Sequence, residues 1–452
     1  MVETNDILRK EIRSSFQTDN RNSEGLFRID KLELLSLLRK RIVDDKSGVR
    51  KSSLQVYQIF GCLEENLIQE TDVCLIVERC LDSAVSIRKE AMNCICTLVG
   101  KYPEDKSICI AWCHAVLPLV MDPESTVQNK CLDYFDSIIF RDLLANKENA
   151  MCWNILQYIQ SESYRYVEKL FLLLSREKKL TKNVIKCIES CISIPQLSKS
   201  CWLLLSFIAP YCFNYIDHEI VVEKWEDIKY STKEELIQQQ QQILSVLESI
   251  SVNISTKVAK KLAEELFERL KRFDASCPLI QSMIRALVRL TSSDTSHLEE
   301  WSSELLSICD QQLSSYLLPQ TSILQNTLFG TVSSDSIIRY LFTIGELSQI
   351  NSCTIPSRTV TLIQALTSST MSSDNSSSSF NISMNNSFNS SLSISSNSGI
   401  RAYAFITLGK LCLEDQQLAK KCIPALAREL QTSDSPVVRN NIIVILCDLC
   451  IK

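Results

Sequence analysis

Asp82-Ser83-Ala84-Val85-Ser86-Ile87-Arg88-Lys89-Glu90-Ala91 is the stretch on which the fold turns. Its aspartate and the small residues behind it read as a turn and N-cap between two helices. The β-branched Ile87 is placed to pack inward, and the small Ala91 four residues on lets a second helix approach. The same grammar recurs. Asp45-Lys46-Ser47-Gly48-Val49-Arg50 precedes one apolar helix, and Asp122-Pro123-Glu124-Ser125-Thr126-Val127-Gln128 precedes another, with Cys131 in the position of Ala91. Asp434-Ser435-Pro436-Val437-Val438-Arg439 is the last instance. Arg50 lies 38 residues before Arg88, Arg88 lies 40 before Gln128, and Arg401 lies 38 before Arg439.

A period of about 40 residues is the spacing of HEAT-type helix pairs. The expected fold is all-α, an α-solenoid of about eight to ten such pairs. Leu32, Leu35, Leu38 and Ile42 mark one helical stripe, Leu54, Tyr57, Phe60, Gly61 and Leu67 a second, and Leu262, Leu266 and Leu270 another. Repeats are clear over 30–145 and 335–452, whereas 146–330 is helical with degenerate units. Asp45, Arg50, Asp82, Arg88, Asp434 and Arg439 are expected to form the Asp/Arg ladder that joins neighbouring repeats. Gln238 to Gln242 falls within a helix or on its solvent face. The organisation reads as a polar segment over 1–25, a solenoid over 26–367, a Ser/Asn-rich insertion over 368–398, and further repeats over 399–452. The insertion is expected to be disordered, because its isolated apolar residues cannot offset the entropy of ordering.

Composition agrees with a stack of helices. Only 8 glycines and 10 prolines occur in 452 residues, which leaves little material for hairpins or phosphate-cradling loops. Neither G-x-x-x-x-G-K nor G-x-G-x-x-G is present. The three histidines, His114, His218 and His297, are scattered, so no catalytic triad, metal centre or cofactor is expected. No enzyme activity and no small-molecule substrate are expected either. The 20 cysteines read as reduced core residues; this includes Cys109 and Cys113 beside His114, and Cys447 and Cys450 within an apolar run. The longest apolar stretch, Cys201 to Ile216, is interrupted by Ser206, Pro210 and Asn214 and is too short for a membrane span.

A net charge of −5 excludes a uniformly basic nucleic-acid binder, so any DNA contact must come from a local patch. Three basic clusters stand out. The first is Arg39, Lys40, Arg41, Lys46, Arg50 and Lys51, around an inter-helix turn, and it is the favoured DNA candidate. The second is Arg176, Lys178, Lys179, Lys182 and Lys186. The third is Lys257, Lys260, Lys261, Arg269, Lys271 and Arg272. Each is weighed against a plain solvated helix face. Binding through such patches is weak, sequence-independent and salt-sensitive.

The C-terminal stretch is more specific. Arg401-Ala402-Tyr403-Ala404-Phe405-Ile406-Thr407-Leu408-Gly409-Lys410 opens it, and Val438-Arg439-Asn440-Asn441, an apolar run and Cys447-Asp448-Leu449-Cys450 close it. With Ile338 to Leu347 upstream, it closely resembles the large D-type HEAT-repeat, non-SMC subunit of condensin II. Arg401, Gly409, Lys410, Arg439, Asn440, Asn441 and Asp448 carry the likeness; residues 1–330 match only in being helical. The resemblance implies a non-catalytic scaffold in the nucleus and on chromosomes. It would bind the kleisin and SMC subunits and help them engage DNA in mitotic chromosome condensation. It also implies that the sequence is a fragment. The alternative is another HEAT-repeat adaptor, a nuclear transport receptor or a cohesin regulator. No membrane association is implied.

Overall fold

The computed structural model describes residues 31–63, 68–317, 333–350, 353–367 and 398–451. Among the described residues all regular structure is helical, as the repeat grammar requires. The polar segment 1–25, Leu67 and residues 368–397 of the Ser/Asn-rich insertion lie outside them. The helices fall into two compact units, the first ending at Ile220 and the second beginning at Val221.

In the first unit, α1 (Lys31–Arg41) pairs with α2 (Ser47–Leu63), and α3 (Glu70–Arg79) with α4 (Val85–Lys101). The next pair is α5 (Lys106–Ala111) and α6 (Ser125–Phe135), joined by a π-helical turn at Trp112–Val116 and a 3-10 turn at Leu117–Met121. Then come α7 (Asp142–Asn146), α8 (Cys152–Leu156), α9 (Tyr164–Arg176), α10 (Lys182–Cys191) and α11 (Pro195–Cys212). The expected stripes face inward: Leu35, Leu38, Ile42, Leu54, Tyr57 and Phe60 are all buried. Gly61 is the point of closest approach, since a Cβ there would meet Leu98 Cδ2 at 2.4 Å.

The degenerate stretch opens with a physical irregularity. Helices α7 and α8 are only five residues each, and an aromatic cluster joins the longer helices around them. Phe135 meets Phe140 edge-on with ring centroids 5.5 Å apart and Phe171 at 5.7 Å, and Phe171 stacks on Phe207 at 5.9 Å. These rings tie α6, the π-turn after it, α9 and α11 into one core. Helix α9 shows the local logic: Val167, Leu170, Phe171 and Leu174 share one buried face. The Thr181 hydroxyl caps α10 by accepting from the Val184 N–H at 3.5 Å.

The second unit contains all but the first three residues of α12 (His218–Ile228), then α13 (Glu234–Ile250), α14 (Thr256–Leu270), α15 (Cys277–Leu290), α16 (Thr295–Leu317), α17 (Ser334–Leu347), α18 (Ser357–Thr367), α19 (Ser398–Glu414), α20 (Gln416–Thr432) and α21 (Pro436–Ile451). The glutamine run lies inside α13 and faces inward rather than to solvent: Gln239, Gln240 and Gln242 are buried. The Gln240 amide donates to the carbonyls of Ile228 and Ser231, at 2.5 and 3.0 Å, and so pins the α12–α13 corner.

Most cysteines are buried and all are free thiols, Cys109 and Cys113 among them. Cys447 and Cys450 differ from expectation, because both are exposed. Helix α21 packs through Val438, Ile442 and Ile445, and its other face, with Ile443 and Val444 half exposed, has no neighbour among the described residues.

Candidate interaction surfaces

The turn grammar becomes a ladder in the first unit. Arg50 Nε and Nη2 donate to Asp82 Oδ2 and Oδ1, both at 2.8 Å. Arg88 Nε and Nη2 donate to Asp122 at 2.7 and 2.9 Å. Each arginine also binds its own turn: Arg50 Nη1 donates to the carbonyls of Asp44 and Asp45, and Arg88 Nη1 to those of Asp82 and Ser83. Each aspartate also braces the turn before its own helix, Asp82 accepting from the Ala84 N–H and Asp122 from the Glu124 N–H. One side chain thus closes a turn and clamps the previous repeat.

The ladder runs one residue off the expected register. Asp44, not Asp45, is the equivalent of Asp82, for its carboxylate accepts from the Lys46 N–H at 3.0 Å while the exposed Asp45 carboxylate holds no hydrogen bond among the described residues. The same holds at the last turn. Arg439 Nη1 donates to the Ser433 carbonyl at 2.7 Å, so Ser433 takes the aspartate's place and Asp434 is an exposed neighbour. The controlling distance is six residues between the turn residue and the arginine.

This arrangement alters the first basic cluster. Arg39 grips both oxygens of the buried Asp72, at 2.7 and 2.9 Å, and the Tyr57 hydroxyl donates to the same carboxylate at 3.0 Å. Arg50 is engaged in the ladder. Arg41 pairs with Asp44, and Lys51 is half-buried, leaving Lys40 and Lys46 exposed with no ion pair among the described residues. In the third cluster Lys261 pairs with Glu226 and Glu265, Lys271 pairs with Glu268 and Glu304, and Arg269 is buried, while Lys257, Lys260 and Arg272 are exposed with no ion pair among the described residues. The second cluster keeps the most free charge. Lys179 pairs with Asp133 and Glu177, but Arg176, Lys178, Lys182 and Lys186 are exposed at the α9–α10 corner with no ion pair among the described residues.

A polar row crosses three successive repeats on α2, α4 and α6. Gln58 donates to Thr97 at 2.6 Å, Asn93 donates to Gln58 at 3.1 Å, and the Tyr134 hydroxyl donates to Asn93. Lys130 ends the row, its ammonium donating to the Lys89 carbonyl at 3.0 Å. Burial pushes the Lys130 ammonium below its ordinary range, and the nearby Lys89 and Lys51 charges add to the effect while Glu90 opposes it.

The C-terminal signature residues have distinct tasks. Lys410 pairs with the buried Glu346, which also accepts from Gln281 at 3.2 Å, joining α15, α17 and α19. Arg401 pairs with Glu429 at 2.6 Å and donates to the Thr367 carbonyl at 2.9 Å. A Cβ on Gly409 would meet Ile445 Cγ1 at 2.5 Å, which sets the close approach of α19 and α21. Asn441 donates to the Ala402 carbonyl at 3.4 Å. Asn440 and Asp448 are exposed and unpaired among the described residues.

Among the described residues no group of three or more His, Cys, Asp or Glu is placed to hold a metal, and no helix is long and apolar enough to cross a membrane. Helix pairs joined by arginine–aspartate rungs define a HEAT-repeat protein. Residues 334–430 match the family model of condensin-2 complex subunit D3-like HEAT repeats. The chain is 31% identical over 445 residues to condensin-2 complex subunit D3-L of Xenopus laevis, covering 94% of this chain and 29% of that protein. It is 32% identical over 441 residues to condensin-2 complex subunit D3 of Mus musculus, covering 92% and 28%. The likeness therefore extends well beyond the C-terminal signature, and the chain is a HEAT-repeat relative of the condensin-2 D3 subunits. It spans under a third of the length of these relatives. In fold it is similar to the C-terminal fragment of the Chaetomium thermophilum cohesin loader SCC2, with a TM-score of 0.65 at 14% identity over 92% of this chain and 31% of that one.

Proposed function

We propose that this chain is a non-catalytic scaffold of condensin II, holding the kleisin and helping the SMC pair engage DNA during mitotic chromosome condensation in the nucleus. The observation that carries the reading is the sequence likeness to condensin-2 D3 subunits over nearly the whole chain. The architecture supports it. A stack of helix pairs offers an extended surface along which a peptide segment can lie, and the polar row of Gln58, Asn93, Tyr134 and Lys130 is the proposed track for it in the first unit. The exposed cations Arg176, Lys178, Lys182 and Lys186 are the proposed phosphate contacts. They act through charge neutralisation without reading sequence. ATP hydrolysis is left to the SMC partners.

The test is affinity purification of the tagged chain from mitotic cells, with identification of the chains that come with it. Kleisin and SMC subunits are the expected company. Recovery of a transport GTPase in their place would reverse the assignment.

A further inference from the structure

Three aromatic side chains are exposed among the described residues, Tyr211, Tyr215 and Tyr230. The first two stand where α11 ends, 38% and 47% exposed, with Tyr215 in the 3-10 turn Phe213–Tyr215 that follows the helix. Contacts with both neighbouring helices brace this end of α11. Phe207 packs edge-on against Tyr164 of α9 with ring centroids 5.3 Å apart. The Cys212 thiol donates to the Leu180 carbonyl in the α9–α10 turn at 3.8 Å, and the Asp217 N–H donates to Glu189 Oε1 of α10 at 2.8 Å. The two tyrosines are thus presented from a held corner.

The same corner carries the second basic cluster. Arg176 ends α9, Lys178 lies in the turn with φ at 58°, and Lys182 and Lys186 stand one helical turn apart on α10. Arg176 is close enough to act on the Tyr211 phenol. Burial pushes that group up, the Glu168 charge adds to the rise, and the Arg176 charge opposes it. Several carboxylates of the corner are committed: Asp133 and Glu177 hold Lys179, and Glu189 accepts from the Asp217 N–H. Glu168 and Asp217 remain exposed, and the four cations without ion pairs among the described residues outweigh them.

We propose that this corner binds an unpaired nucleic-acid strand, with Tyr211 and Tyr215 stacking on bases while Arg176, Lys178, Lys182 and Lys186 neutralise the phosphates alongside. The inference rests on the reading of those four cations as phosphate contacts and names what they hold. Cations alone serve a duplex as well as a single strand. Exposed rings do not. A duplex keeps its bases stacked on one another, and only an unpaired base offers its face to a side chain. Aromatic rings beside a positive track are the combination that holds single strands without reading sequence. An acidic peptide would use the charge and leave both rings idle.

The experiment uses the full chain and three fluorescein-labelled probes, oligo(dT) and oligo(U) of about 20 bases and a duplex of the same length, with anisotropy reading affinity at fixed salt. At least one single strand should bind about fivefold or more tighter than the duplex, and the tighter of the two names the sugar. Tyr211→Ala and Tyr215→Ala should each weaken single-strand binding about fivefold and leave duplex binding within about twofold. Tyr211→Phe keeps the ring and should keep the affinity, which separates stacking from any loss of the corner's structure. Arg176→Glu combined with Lys182→Glu should weaken every probe. Equal affinity for strands and duplex, or alanine variants that bind single strands as the parent does, overturns the proposal. The phosphate reading survives that result if charge reversal still weakens the duplex. Affinity indifferent to charge reversal for all three probes overturns both.

Discussion

Arg88 and Asp122, 34 residues apart in sequence, meet through two hydrogen bonds of 2.7 and 2.9 Å with 11% and 4% of their side chains exposed. Such a pair contributes mainly by what its rupture leaves behind. Either partner alone is a charge in a partly dry interface with its donors or acceptors unmet.

Asp122→Ala is therefore expected to destabilise the first unit by about 3 kcal/mol, from the stranded Arg88 and the Glu124 N–H left without its turn acceptor. Urea unfolding measures this. A loss below about 0.5 kcal/mol would reduce the rung to an ordinary surface ion pair.

Asp72 and Asp82 give the fold an acid limit. Burial pushes the Asp72 carboxyl up, but the Arg39 guanidinium, the Gln69 N–H and the Tyr57 hydroxyl outweigh it and hold the group below its ordinary 3.8. Arg50 and the Ala84 N–H do the same to Asp82, against a similar burial effect. The unfolded chain then takes up these protons before the folded one. The stabilisation is complete above about pH 4 and drains away as pH falls through the lower folded values. Asp72→Asn and Asp82→Asn should each be less stable than the parent at neutral pH and lose less on acidification. Parallel acid-unfolding curves for parent and variants would contradict this.

Two glycines separate packing from propensity. Gly409→Ala forces a Cβ against Ile445 and should cost about 1–3 kcal/mol. Gly48→Ala meets nothing within 4 Å and should stabilise α2 by up to about 1 kcal/mol. Thermal melts of the two variants should move in opposite directions, and a shared sign would show that the α19–α21 approach is not the tight one.

Charge reversal at Arg176, Lys178, Lys182 and Lys186 should weaken duplex DNA binding several-fold and flatten its salt dependence. Reversal of Lys40 and Lys46 should do much less. Gel-shift titrations across a salt series compare the two sets, and a stronger effect at Lys40 and Lys46 would return the contact to the first turn. Arg39 is unsuited to such a test, since its reversal would strip Asp72 of its partner.

The period of about 40 residues, the helical class and the rungs to Asp82 were legible because turn chemistry is local. The register of the ladder was less so. Asp44 and Asp45 are adjacent and chemically identical, and only the count of six residues to Arg50 separates them; the same count replaces Asp434 by Ser433. The binding potential of the basic clusters was not legible, because it depends on which cations find carboxylates across repeats, as Arg39 finds Asp72. Arg269 reads in sequence as one more surface charge. Its burial beside Trp225 is a product of how α12 and α14 pack.

The rungs also impose an order of assembly. Arg50 can complete its pair only when Asp82 exists, and Arg88 only when Asp122 has followed. On a ribosome, the pairs that carry Arg50 and Arg88 emerge before their acceptors have been translated. Consolidation of these two junctions therefore trails synthesis by one repeat.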